Sequence, residues 1–104
     1  MKQLTSMEEF KTLTNEPTIF MFTASWCPDC HFIDPELPDL EAKYNQYQFV
    51  SVDRDQFIDL CQEVDVMGIP SFIAYDKQQE LGRYVGKERK TIPQISEFID
   101  GLTK

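Results

Sequence analysis

Apolar positions along the chain change repeatedly between helical and extended spacing, and they predict the order β-α-β-α-β-α-β-β-α with a weak first strand. Met7, Phe10 and Leu13 recur at the period of a helix, directly after the capping-box sequence Ser6-Met7-Glu8-Glu9. Thr18 to Thr23 is a continuous apolar run of β-forming residues. Such a run is typical of a strand that is buried on both faces.

The next helix is predicted to be interrupted. One apolar face runs along it, and its residues are Ile33, Leu37, Leu40 and Tyr44. Pro35 and Pro38 fall inside this stretch, so we expect a kink or a broken first turn. Asn45 is a residue type that can end the helix.

The second half of the chain predicts two more helices and three strands. Strands are expected at Gln48 to Asp53, at Ser71 to Tyr75 and at Glu80 to Val85, the last two forming a hairpin. A short helix follows from the spacing of Phe57, Leu60, Cys61 and Val64. A final helix begins after the N-cap Thr91, with Pro93 and Gln94 in its first turn and an apolar face at Ile92, Ile95, Phe98, Ile99 and Leu102. This alternation predicts one α/β domain, residues 1–104, with a mostly parallel sheet covered on both faces.

Composition narrows the classes of partner. The 104 residues include 18 acidic and 10 basic side chains, a formal net charge of −8, which argues against binding to nucleic acid or to an anionic membrane surface. No segment approaches the roughly 20 apolar residues of a membrane-spanning helix, and the first ten residues lack the apolar block of a secretory signal. We therefore expect a cytoplasmic protein.

Two of the three cysteines, Cys27 and Cys30, are separated by two residues. They lie between the apolar strand and the interrupted helix, so Cys27 is predicted to sit at a helix N-terminus. Unpaired N–H groups there stabilise an anion and lower the pKa of a cysteine thiol from about 8.5 to about 3.5–7.5. Pro28 suits the first helical position. One helical turn brings Cys30 close enough to form a disulfide, so we predict that Cys27 attacks a substrate disulfide and Cys30 resolves the mixed disulfide.

A zinc site is the principal alternative for this cysteine pair. A structural zinc ion needs four ligands, and His31 and Cys61 are the remaining Cys or His side chains. His31 is expected to be a solvated helix residue that points away from the pair, although its charged form could favour a thiolate at Cys27. Cys61 lies on an apolar helical face and is interpreted as a buried cysteine without a role. Redox chemistry is therefore favoured over metal binding.

Further residues match the sequence pattern of a known protein family. Trp26 precedes Cys27, Pro35 follows Cys30 by five residues, and the segments Gly68-Ile69-Pro70-Ser71 and Val85-Gly86 come later in the chain. In these features the sequence resembles the thioredoxin family over nearly its whole length. It is similar to those members that carry a Trp-Cys-Pro-Asp-Cys motif. Ile-Pro before a β-run also predicts a cis bond at Pro70.

The resemblance implies a thioredoxin fold, which is a three-layer α/β/α sandwich with a mixed central sheet. It implies a thiol–disulfide oxidoreductase active in electron transport and cell redox homeostasis, a monomer without cofactor or metal. Substrates would be disulfides of proteins or of low-molecular-weight compounds, and a reductase, such as thioredoxin reductase, would donate electrons. The residues expected to contact substrate are Trp26, Pro28, Asp29, Ile69, Pro70 and Gly86.

Three other functional classes were weighed. A binding module with the same fold would not need both cysteines, and an oxidant or isomerase of secretory compartments would need a signal sequence. Glutaredoxins carry a Gly-Gly pair near the position of Gly86, where this chain has Gly86-Lys87. A disulfide reductase remains the leading hypothesis.

Three positions near the motif predict how the dithiol is tuned. Met21 and Ser51 stand where the family usually has a buried Asp and a Lys, so water or Asp29 is expected to take the proton of Cys30. Asp29 is also expected to lie near the sulfur of Cys27 and to oppose its ionisation. Destabilising the thiolate destabilises the reduced form, so the protein should be a reductant.

Overall fold

The computed structural model describes residues 1–102, and its centre is a five-stranded sheet in the order β1-β3-β2-β4-β5. The strands are β1 (Lys2–Gln3), β2 (Thr18–Thr23), β3 (Gln48–Asp53), β4 (Ser71–Asp76) and β5 (Gln79–Tyr84). The helices are α1 (Met7–Leu13), α2 (Pro28–Ile33), α3 (Leu37–Lys43), α4 (Ile58–Glu63) and α5 (Ile92–Gly101). The single domain predicted for residues 1–104 includes residues 103 and 104, which lie outside the described residues, and its extent stays a prediction.

The central strand β2 determines where the ends of its neighbours lie. It pairs in parallel with β3 and antiparallel with β4, so the sheet is mixed, as predicted. The carboxyl ends of β2 and β3 and the start of β4 therefore meet at one edge of the sheet. The segments that follow β2 and β3 and precede β4 are brought together there.

Side chains that alternate along β2 build two separate cores. Ile19 and Met21 face α2, α3 and α5, whereas Phe20 and Phe22 face α1 and α4. Because every second residue of a strand points to the same face, an uninterrupted apolar run is what a strand between two helical layers requires. The predicted three-layer arrangement is confirmed.

Proline breaks the helix that follows the cysteine motif, as predicted. A 3₁₀ turn, Asp34–Glu36, separates α2 from α3, and Pro35 lies in that turn. A proline has no N–H to donate to the preceding turn, so the regular helical hydrogen bonds cannot run through it. The break lets Ile33 and Leu37 both face the sheet.

The two predicted helix starts differ in detail. At α5, Thr91 and Gln94 form the complete capping box that the sequence predicts. At α1, Ser6 accepts a hydrogen bond from the backbone of Glu9, but the Glu9 carboxylate accepts from the backbone of Thr5 instead of closing the box on Ser6. No helix within residues 1–102 has both the length and the apolar character needed to cross a membrane.

Candidate active site

The cysteine motif occupies the sheet edge where β2 ends and α2 begins. Cys27 is the N-cap of α2, and its sulfur accepts a hydrogen bond from the backbone N–H of Cys30 over 3.1 Å. Pro28 falls in the first turn, where its lack of an N–H costs no helical hydrogen bond. The predicted position of Cys27 at the start of a helix is confirmed.

The sulfur atoms of Cys27 and Cys30 are joined in a disulfide, with 5.2 Å between the two Cα atoms. Both cysteines are nearly buried, Cys27 with 4% and Cys30 with 1% of its surface exposed. The predicted pairing is confirmed. The lower exposure of Cys30 supports the prediction that Cys27 is the sulfur an incoming substrate meets.

The loop before β4 packs against the disulfide. The peptide bond between Ile69 and Pro70 is cis, as predicted, and Ile69 packs on the small cluster of Ala24, Cys27 and Cys30. The hydroxyl of Ser71 donates to the carbonyl of Gly68 and so closes the loop behind the proline. Ile69 is thus held beside the disulfide, and Pro70 follows it in the same loop.

Gly86 lies against the same loop. A Cβ atom added to Gly68 would stand 2.5 Å from the carbonyl carbon of Gly86, so the two backbones touch. The backbone N–H of Gly86 also donates to the hydroxyl of Ser71 over 3.4 Å. The structure therefore joins Gly86 to the cis-proline loop, while its role towards substrate stays a prediction.

Trp26 is the exposed aromatic residue of the motif, with 57% of its surface accessible. Its indole N–H donates to Asp55 Oδ2 over 2.7 Å, and the Arg54 guanidinium lies over its ring at 5.7 Å. The sequence analysis missed both partners. The signal was available: Arg54 and Asp55 directly follow β3, the strand beside β2, whose carboxyl end lies at the same edge.

Asp29 has a partner that the sequence analysis also missed. Its Oδ1 atom accepts a hydrogen bond from Nε of Arg89 over 3.0 Å, in an ion pair. The same guanidinium lies over the ring of Phe32 at 4.3 Å. The negative charge expected to act on Cys27 is therefore partly neutralised, while its effect on the thiol stays a prediction.

Lys90 is a buried cation beside this ion pair, with 1% of its surface exposed. Its ammonium donates to the carbonyls of Gly86 and Glu88 over 3.1 and 3.3 Å and lies over the Tyr84 ring at 5.0 Å. Burial lowers the pKa of Lys90, although the nearby charges of Glu88 and Asp29 oppose the change. Lysine is rarely buried, so sequence reasoning had no signal for this position.

His31 is exposed, as expected, but it is not without partners. One ring nitrogen faces the carbonyl of Ser25 and the other lies 2.9 Å from Asp34 Oδ2. Both partners are acceptors, so only the protonated ring satisfies both. The bond to Ser25 and then the bond to Asp34 raise the pKa of His31 above its ordinary 6.5.

Cys61 is buried among apolar side chains on the other face of the sheet, as predicted. Burial raises the pKa of its thiol, which favours the protonated form over the reactive thiolate. Among residues 1–102, no three His, Cys, Asp or Glu side chains converge on a point that could hold a metal ion.

A polar cavity of about 370 Å³ lies next to α2, at the two positions where Met21 and Ser51 replace the usual Asp–Lys pair. Met21 and Ser51 face each other across β2 and β3 and line this cavity. His31 and Asp34 form part of its wall. Ala24 lines the cavity as well and also packs against both cysteines, so the cavity comes within one residue of the disulfide.

Comparison with known proteins agrees with this geometry. The thioredoxin family model matches residues 2–100. "Thioredoxin-2, mitochondrial" of Schizosaccharomyces pombe is 33% identical over 78 residues, which are 75% of this chain and 59% of that protein. Thioredoxin Asp f 28 of Aspergillus fumigatus is 31% identical over 92 residues, which are 86% of this chain and 85% of that protein.

Solved structures show the same fold. The crystal structure of oxidised mitochondrial thioredoxin 3 from Saccharomyces cerevisiae superposes with a TM-score of 0.81 at 27% identity, over 96% of this chain and 94% of that one. The predicted thioredoxin fold is confirmed. The chain spans 57–64% of the length of several curated relatives that it matches.

Proposed function

The chain belongs to the thioredoxin family, and from that membership we propose that it is a thiol–disulfide oxidoreductase with Cys27 and Cys30 as its redox-active pair. The observation that carries this proposal is the Cys27–Cys30 disulfide at the start of α2, packed against the cis-proline loop. A disulfide in that place is the product of one reductive cycle.

The proposed cycle moves two electrons to the substrate. The thiolate of Cys27 attacks one sulfur of a substrate disulfide, and the other substrate sulfur leaves as a thiolate that takes up a proton. Cys30 then loses its proton and attacks the Cys27 sulfur, which releases the second substrate thiolate and forms the Cys27–Cys30 disulfide. An external reductant must reduce this disulfide again, and by analogy with the family we propose a thioredoxin reductase.

Water is the proposed acceptor for the Cys30 proton. Asp29 was the other candidate, but protonating it would break its ion pair with Arg89. The polar cavity lined by Met21 and Ser51 comes close to the cysteines through Ala24 and is large enough to hold several water molecules.

Substrates are proposed to bind as extended peptides along the groove beside Cys27. Ile69, which packs against Cys27 and Cys30, would offer its backbone N–H and C=O to the substrate in a strand-like manner. Trp26, Pro28, Asp29 and Gly86 would form the rest of the groove. Pro70→Ala is expected to weaken capture of partners while leaving the Cys27–Cys30 disulfide able to form.

A turnover assay tests the activity. Reduction of insulin by the protein, with dithiothreitol as electron source, should fall to the uncatalysed rate in Cys27→Ser. Cys61→Ser is the matched control and should keep the wild-type rate, because Cys61 lies outside the site. Equal activity of wild type and Cys27→Ser would refute the proposal. A wild-type protein that binds disulfide substrates without turnover would be a binding module instead.

Two further experiments identify the substrates and the electron donor. Cys30→Ser cannot resolve mixed disulfides, so it should retain substrates covalently on Cys27, and each can be identified after reduction. The electron donor is found by supplying NADPH with thioredoxin reductase in one arm and with glutathione and glutathione reductase in the other. We propose that only the first arm supports rapid turnover.

The cytoplasm is the proposed compartment and a monomer the proposed state. A free buried thiol and a dithiol that must be kept reduced both suit a reducing environment. Curated relatives include mitochondrial proteins, so fractionation of cells that express the full gene must separate cytosol from mitochondria. Light scattering of the purified protein would test the monomer.

A further inference from the structure

The loop of residues 86–90 and the helix that carries the dithiol are joined by one arginine. Arg89 donates to Asp29 over 3.0 Å and lies 4.3 Å above the ring of Phe32. Asp29 and Phe32 are one helical turn apart on α2. The guanidinium therefore contacts α2 at two points from a position 60 residues further along the chain.

Lys90 anchors the same loop from the protein interior. Its buried ammonium binds the carbonyls of Gly86 and Glu88, so the backbone on either side of Lys87 is fixed. The loop also touches the cis-proline loop, where a Cβ atom on Gly68 would meet the backbone of Gly86. Arg89 thus projects from an anchored segment, and its contact with Asp29 has a defined geometry.

Charge balance at the dithiol depends on this contact. The charged side chains on the elements around Cys27 are Asp29, His31 and Asp34 on α2 and at its end, Asp53, Arg54 and Asp55 at the end of β3, and Lys87, Glu88, Arg89 and Lys90 after Gly86. Asp29 lies two residues from Cys27 in the first turn of α2, so an unpaired carboxylate there would oppose formation of the Cys27 thiolate.

We propose that Arg89 is a positioning residue for the dithiol: it holds Asp29 in an ion pair and thereby partly neutralises the negative charge beside Cys27. The proposal rests on the redox function of Cys27. Arg89 acts through Asp29, because without that carboxylate the half-exposed guanidinium is released to solvent, where its charge is screened.

Reactivity of Cys27 measures this effect without any substrate. The rate of alkylation of Cys27 by iodoacetamide is followed against pH on the reduced protein, with each cysteine resolved by mass spectrometry. Arg89→Gln should raise the pKa of Cys27 by roughly half a unit, which slows its alkylation about threefold below the pKa. The reduction potential of the variant should become more negative, since the reduced form is destabilised.

Three variants make the test specific. Lys87→Gln removes the same charge from the same loop, but Lys87 is exposed and has no ion pair within residues 1–102, so its shift should be much smaller. Arg89→Lys keeps the charge and should restore part of the wild-type reactivity. In the Asp29→Asn background, Arg89→Gln should shift the pKa by less than half as much as in wild type.

An equal shift with and without Asp29, or no shift at all in Arg89→Gln, would overturn the inference. Neither result depends on turnover. A protein that fails the insulin assay but shows the predicted alkylation profile would refute the proposed function and leave the role of Arg89 standing. If the wild type reduces insulin normally while Arg89→Gln leaves the pKa of Cys27 unchanged, the role of Arg89 is refuted and the proposed function stands.

Discussion

Asp29 is the one acidic residue inside the cysteine motif, and its carboxylate has two opposite electrostatic effects. A carboxylate in the first helical turn interacts favourably with the helix terminus and unfavourably with a thiolate at Cys27. The ion pair with Arg89 reduces the second effect. The proposed tuning of the dithiol therefore involves a pair of side chains, of which only Asp29 lies in the motif.

Replacing Asp29 with histidine should reverse the electrostatic influence on Cys27. Asp29→His removes the carboxylate and adds a side chain that is positive when protonated, so the pKa of Cys27 should fall. The reduction potential should rise by roughly 30 mV for each 1.4 kcal/mol that the reduced form gains. Equilibration against a glutathione or dithiothreitol buffer measures it, with Asp29→Asn as the neutral control. A potential that stays constant or becomes more negative would show that Asp29 does not tune the dithiol.

A carboxylate restored at position 21 tests the route of the Cys30 proton. Met21 is buried and borders the polar cavity, so Met21→Asp would place an ionisable group there. We expect the pH profile of turnover to gain an ionisation that the wild type lacks. Met21→Asn is the matched control, since asparagine has the same shape as aspartate and cannot ionise. Identical profiles for wild type and Met21→Asp would count against proton transfer through this side of the site.

At the scale of elements, α5 depends on Thr91, the residue that caps its N-terminus. The hydroxyl of Thr91 accepts the backbone N–H of Gln94, and the Gln94 side chain accepts the backbone N–H of Thr91. Thr91→Ala leaves one helical N–H without a partner and should lower the free energy of unfolding by about 1 kcal/mol.

Urea unfolding measures how far Thr91→Ala lowers the free energy of unfolding, and Thr91→Ser is the control that keeps the hydroxyl. If Thr91→Ala unfolds at the wild-type midpoint, water replaces the cap without cost. Because residues 86–90 lead directly into α5, we also expect Thr91→Ala to loosen the loop that carries Arg89.

Elements whose determinants are local were predictable from the sequence. β2 has the predicted limits because its apolar run is continuous, and β3 has them although Ser51 interrupts its apolar run. The break near Pro35 follows from the missing N–H. The capping box at Thr91 is local for the same reason. The partner of Asp29 is 60 residues away, and no periodicity connects the two positions.

Burial of Lys90 is the clearest case of tertiary structure overriding residue type. Its ammonium lies over the Tyr84 ring and next to two backbone carbonyls that only the folded loop brings together. The site residues that were predicted, Cys27, Cys30 and Pro70, come from short motifs. Those that were missed, Arg54, Asp55 and Arg89, lie on segments that the sheet topology brings to the motif.

For the whole molecule, His31 should make stability depend on pH in the neutral range. It is the only histidine, and its pKa is raised in the folded protein, first by the bond to Ser25 and then by Asp34. A raised pKa means that the folded state binds the proton more tightly than the unfolded chain. This contribution is complete below pH 6.5 and is lost as the pH rises through the higher, folded-state pKa.

The midpoint of urea unfolding should therefore fall slightly between pH 6 and pH 8. His31→Gln should flatten that dependence, and Asp34→Asn should reduce it. The size of the effect will be small, because the ring is exposed to solvent. A midpoint that rises over this range, or the same slope in His31→Gln, would contradict the assignment.

The turn between β4 and β5 lies far from the dithiol. Thr18, the first residue of β2, pairs with Tyr75 near the end of β4, and the N–H of Gln78 in the turn donates to the carbonyl of Thr14. The six residues of β2 separate the turn from the cysteine motif by about 20 Å, at about 3.3 Å per residue. Lys77 at the tip is exposed. A dye or a sensor surface coupled to its amine would face away from the groove, so the immobilised protein would present Cys27 to the solution.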